Sequence, residues 1–75
     1  MKIADITARE KEVLHLICQG YSNREIAKRL FISTHTVKAH ISSLLYKLQA
    51  KNRTQAACFF VTLCIHNDLL EILSL

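Results

Sequence analysis

The chain has 75 residues, enough for a single domain; a domain near this size buries only about 60% of the surface that its unfolded chain exposes, so the core must be small. With 51% hydrophobic and 21% charged residues, one Gly and no Pro, the composition excludes collagen-like, disordered and disulfide-framed classes and points to an all-α globular domain. The formal charge of +4 is unevenly held: residues 1 to 53 carry all ten Lys and Arg against four acids, while residues 54 to 75 carry only Asp68 and Glu71, which favours a polyanionic partner for the first two thirds.

Thr7-Ala8-Arg9-Glu10 has the form of a capping box, and the apolar residues Val13, Leu14, Leu16 and Ile17 follow at helical spacing up to Gly20, which predicts a helix over 8–19. Ser22-Asn23-Arg24-Glu25 is a second capping box. It opens a short helix, 23–30, that buries Ile26, Ala27 and Leu30 and turns Arg24, Lys28 and Arg29 outward. Phe31 and Ile32 then form an apolar turn expected to seat two helices together. Ser33 caps a third helix, 34–48, whose core stripe is Val37, Ile41, Leu44, Leu45 and Leu48. Asn52, with Gln55 three residues on, marks a fourth start, and the helix predicted over 53–66 is apolar on nearly every side; DLLEILSL beyond Asn67 is a further helical turn or two, or a tail.

No segment resembles a signal peptide, and the apolar run from Ala56 to Ile65 is too short to span a bilayer, so a soluble cytoplasmic protein without membrane contact is expected. Cys18, Cys58 and Cys64 sit among apolar neighbours and are expected as reduced, buried thiols. His35 and His40 stand five apart, and Cys58 and Cys64 six apart; neither is a familiar metal-ligand spacing. With no phosphate loop, nucleophile elbow or convergent carboxylates, no metal, cofactor, small-molecule ligand or enzymatic activity is expected.

A short helix, a tight turn and a longer amphipathic helix match the helix-turn-helix pattern, whose second helix enters the major groove of DNA. Opposite its core stripe the third helix presents His35, Ala39, Ser42, Ser43 and Tyr46, flanked by Thr36, Lys38, His40 and Lys47. Lys can donate to guanine, Ala can meet a thymine methyl, and Ser can donate or accept. From Ser33 to Ala50 there is no acid, whereas a merely solvated helix face usually carries paired charges. Thr36 and the first amides of the third helix, with Asn23 at the start of the second, are placed for phosphates, and Lys47, Lys51 and Arg53 extend that track. The competing reading is a plain helical bundle or interaction module that docks a partner through its apolar C-terminal helix.

The segments ITAREKEVLHLICQG, YSNREIAKRLFIS, HTVKAHISSLLYKL and KNRTQAA, in this order and spacing, resemble the LuxR-type (NarL/FixJ-type) DNA-binding domain of bacterial transcription regulators over residues 6 to 57. The resemblance implies a compact four-helix domain that binds double-stranded DNA as a dimer on paired half-sites, with the third helix as recognition helix. It implies base contact from Lys38, Ala39 and Ser42, with His35 at an allied position, and phosphate contact from Asn23, Thr36, His40 and Arg53. RNA polymerase is a further candidate partner. The C-terminal third is more apolar than a fourth helix with one solvated face requires, so a homodimer through Phe59, Phe60, Leu63, Leu69 and Leu70 is expected.

Overall fold

A computed structural model describes residues 5–73, which form four helices and, among the described residues, no strand. These are α1 (Ala8–Cys18), α2 (Asn23–Leu30), α3 (Thr34–Leu48) and α4 (Arg53–Leu73). The starts are set by side-chain oxygens. Thr7 and Glu10 make a reciprocal capping box at α1, and Ser22 and Glu25 make another at α2. Ser33 accepts from the Thr36 amide at α3, and Asn52 accepts from the Gln55 amide at α4. Gln55 in turn accepts from the Lys51 amide, one residue before the expected partner. Each of these bonds satisfies a helix-end donor that otherwise has no partner within the helix.

The first three helices end alike. The amides of Tyr21, Ile32 and Ala50 reach back to the carbonyls of Leu16, Ala27 and Leu45, across a residue with positive φ: Gly20, Phe31 and Gln49. This left-handed closing turn satisfies the last carbonyls and redirects the chain sharply. It explains how helices with connections of three or four residues pack onto one another. α2 lies against α3, and α3 and α4 both lie against α1.

The core draws on all four helices. Ile6, Val13, Leu14 and Ile17 meet Ile26 and Ala27 of α2, Val37, Leu44 and Leu48 of α3, and Ala56 of α4. Ile32 packs against this cluster as expected, but Phe31 does not: its ring is 95% exposed. The closing turn places the residue after Leu30 in a left-handed conformation, φ 57°, and sends its side chain to solvent. The expectation that Phe31 seats the helices is therefore corrected to Ile32 alone.

Two further expectations change. α4 continues to Leu73, past the predicted end at residue 66; His66, Asn67 and Asp68 interrupt the apolar run but, with no Gly or Pro after residue 52, nothing breaks the hydrogen-bond ladder. The cysteines are not buried as a set. Cys58 and Cys64 are exposed and Cys18 is half-buried between α1 and α4, where burial, helped by the neighbouring Cys64 and Cys58, pushes its thiol pKa up. The apolar run wraps all round α4, so only one side of it can face a core this small. No helix among the described residues is long and apolar enough to cross a membrane.

Candidate nucleic-acid interface

α3 turns Val37, Leu44 and Leu48 into the core, and one helical turn of spacing then decides everything else on it. His35, Lys38, Ala39 and Ser42 are all exposed. His35, Ala39, Ser42 and Tyr46 recur at intervals of four, three and four, one stripe directly opposite the core, and Tyr46 is 86% exposed. The stripe holds small groups and donors, with no acid on the helix to repel a polyanion. Small groups and hydrogen-bond donors of this kind are what the edges of bases in a major groove can meet.

The N-terminal end of α3 is the natural anion-facing end, because its first amides point out of the helix. The Ser33 and Thr36 hydroxyls lie 2.9 Å apart there, and Ser33 accepts from the Thr36 amide, so Thr36 is held half-buried beside that end. His40, also half-buried, follows Thr36 one turn on. Asn23 opens α2. Its Oδ1 accepts from Arg53 Nη1 at 2.5 Å, and Arg53 Nη2 donates to the Tyr21 carbonyl at 3.0 Å. A guanidinium only donates, so the oxygen of Asn23 must face it, and the amide nitrogen is left as donor on the other side. Beside it, Arg29 stacks over the Tyr21 ring, 4.1 Å from its centroid.

Not every cation on the expected track is equally available. Lys51 is exposed, whereas Lys47 donates to Glu10 at 2.7 Å and Arg53 spans Asn23 and Tyr21. Ser43, expected on the outward face, is half-buried and donates to the other Glu10 oxygen at 2.5 Å. Glu10 is buried, and it also accepts from the Thr7 amide at 2.9 Å. Burial pushes its carboxyl up, but the bonds from Lys47, Ser43 and Thr7, with the charge of Lys47, outweigh it and hold the pKa at about 2. This cluster pins the second half of α3 to the start of α1 and so fixes the direction in which the outward stripe points.

On α4, Phe60 packs against the core and Phe59 is half-buried, while the side chains of Leu63, Leu69 and Leu70 lie outside the described residues. Among the side chains of α4 that are described, Val61 and Ile65 are large, apolar and exposed, 44% and 60%, with Cys58 on the same side. Sequence reading passed over them because α4 is apolar all round; the position of Ala56 against the core is what tells the two sides apart. Among the described residues, no group of three or more His, Cys, Asp or Glu side chains is placed to hold a metal ion.

Comparison with known proteins bears on this arrangement. The family model for bacterial regulatory proteins, luxR family, matches residues 4–60. The transcriptional regulatory protein YhcZ of Bacillus subtilis is 50% identical over 68 residues, covering 91% of this chain and 32% of that protein. The response regulator protein VraR of Staphylococcus aureus is 50% identical over 54 residues, covering 72% of this chain and 26% of its own length. Among solved structures, the response regulator ChrA of a heme-sensing two-component system superposes with a TM-score of 0.69 at 47% identity, over 71% of this chain and 26% of that one. The chain thus spans about a third or less of the length of these relatives.

Proposed function

This chain belongs to the luxR family of bacterial regulatory proteins, as a DNA-binding domain of transcription regulation, and from that premise we propose that it reads double-stranded DNA sequence-specifically, with α3 in the major groove, as a dimer on paired half-sites. The observation that carries the reading is the acid-free outer surface of α3, on which the stripe residues His35, Ala39 and Ser42 and the flanking Lys38 are all exposed. Lys38, a long cation in the first half of the helix, is assigned to a guanine edge; Ala39 and Ser42 supply close fit and a hydroxyl; His35 stands beside them. Asn23, Thr36, His40 and the α3 amides are assigned to phosphates, which set register without carrying sequence information. Lys51 is the cation best free to add counterion release, and Lys47 and Arg53 join the track only at the cost of their internal bonds. Dimerisation is assigned to α4, through Val61 and Ile65 together with the expected Phe59, Leu63, Leu69 and Leu70, while Phe60 is engaged in its own core.

The test is a salt titration of binding to a duplex recovered from a random-sequence pool by the unmodified chain. Lys38→Ala is expected to cost about 1–3 kcal/mol on the recovered duplex and to relax preference at one position. Lys51→Ala is expected to weaken all duplexes alike and to lower the salt slope by about one. Equal affinity of the unmodified chain for recovered and random duplexes overturns the reading and leaves the alternative, a module that docks a partner through α4.

A further inference from the structure

We infer that Phe31 and Tyr46, at the two ends of α3, pack on the sugar-phosphate backbones that border the groove occupied by the helix between them, an inference that rests on the DNA-binding reading above. Phe31 is the anomaly that leads to it. Its φ of 57° lies in the left-handed region that disfavours every residue with a side chain, and bulky ones most. The corresponding position at the end of α1 is held by Gly20, the residue suited to it. Phe31 therefore carries backbone strain, and its ring, 95% exposed, returns nothing to the core. Gln49 shares this conformation, so strain alone marks no site; what sets Phe31 apart is a large apolar ring held in solvent.

The surroundings say what the ring meets. Lys28 and Arg29 precede it on the last turn of α2, His35 follows it, and all three are exposed; the outward amides of α3 begin three residues on. An aromatic ring set among cations at an anion-facing helix end suits a nucleic-acid backbone better than an apolar protein surface, from which those cations would have to be desolvated. Tyr46 stands at the opposite end, one turn beyond Ser42 on the stripe assigned to the bases, and is 86% exposed. Tyr46 lies twelve residues beyond the start of α3, about 18 Å along its axis, and Phe31 lies three residues before that start. A major groove is about 12 Å wide, so groups at that separation reach past its edges to the strand on either side. There the Tyr46 hydroxyl can donate to a phosphate oxygen, and the Phe31 ring can cover a deoxyribose face.

Two variants test this with the full chain and the duplex recovered from the random pool. Tyr46→Phe removes only the hydroxyl, a neutral donor that displaces no counterion, so affinity is expected to fall about threefold to tenfold, the range of one neutral hydrogen bond, at unchanged salt slope. Phe31→Gly keeps the left-handed turn and relieves its strain, so affinity is expected to fall by a similar factor while the melting temperature stays level or rises. Binding as tight as that of the unmodified chain by either variant overturns the inference, as does a melting temperature lowered by several degrees in Phe31→Gly, which would assign the ring to the fold. Failure of the unmodified chain to recover any duplex is a distinct result: it removes the DNA-binding reading, and the inference falls with it.

Discussion

Glu10 shows how much one side chain can decide. Its carboxyl lies within the core, yet it is charged because Lys47, Ser43 and the Thr7 amide surround it with donors. The folded-state pKa of about 2 lies below the ordinary 4.5, so on acidification the unfolded chain takes up the proton first. Stability from this group is present in full above about pH 4.5 and is lost as pH falls towards 2. Lys47 keeps 29% of its side chain in solvent, which screens the pair. Glu10→Gln is therefore expected to cost about 2 kcal/mol at pH 7, less than the full shift implies, and to flatten the decline of the melting temperature between pH 4.5 and 2.5. Melts across that range check both. The capping part of this role was legible in the sequence, because Thr7 and Glu10 are three residues apart. The bonds from Ser43 and Lys47 were not, since 33 and 37 residues separate them from Glu10 and only tertiary packing brings them together.

Helix starts and helix ends were unequally legible, for a physical reason. A start needs a side-chain oxygen at a fixed offset, so Thr7, Ser22, Ser33 and Asn52 announce themselves. A left-handed end needs only a backbone conformation, and glycine marks it at Gly20 but not at Phe31 or Gln49. The chain tolerates those two because the turn also satisfies carbonyls and lets Ile32 and Ala50 join the core surroundings. Gln49 is exposed and makes no side-chain bond among those described, so its side chain can be removed without loss of packing. Gln49→Gly is expected to stabilise the fold by about 0.5 kcal/mol, relief of left-handed strain less the greater freedom of glycine in the unfolded chain. A higher urea midpoint at unchanged slope would register it. The end of α4 stayed open between helix and tail for the opposite reason: polar residues ended the apolar pattern without ending the helix.

At the scale of the whole molecule, the domain measures 43 × 22 × 19 Å, and α4, with 21 residues, accounts for much of its length. A helix this long cannot bury both sides against three shorter ones. Its inner side meets α1 and α3 through Ala56 and Phe60, and Val61 and Ile65 stay outside. Ile65→Glu is expected to change the stability by no more than ordinary surface substitutions do, about 0.5 kcal/mol, while sedimentation at tens of micromolar shifts from dimer to monomer. On DNA the same change should weaken binding to paired half-sites and leave a single half-site untouched. The outward stripe of α3 was largely legible, because 100° per residue determines which groups oppose Val37 and Leu44. The outer side of α4 was not, because an all-apolar helix has no polar face to mark it.

Arg53 gives the arrangement one more property. Its guanidinium sits at the root of α4 and grips the oxygen of Asn23 and the carbonyl of Tyr21, at the opening of α2. One rigid fork thus joins the side chain assigned to a phosphate with the helix assigned to the second copy. If a phosphate draws Asn23 into a narrower set of positions, the root of α4 is ordered with it, and the two equilibria become linked. Linkage is reciprocal, so the factor by which DNA tightens the pair of copies must equal the factor by which pairing tightens the grip on DNA.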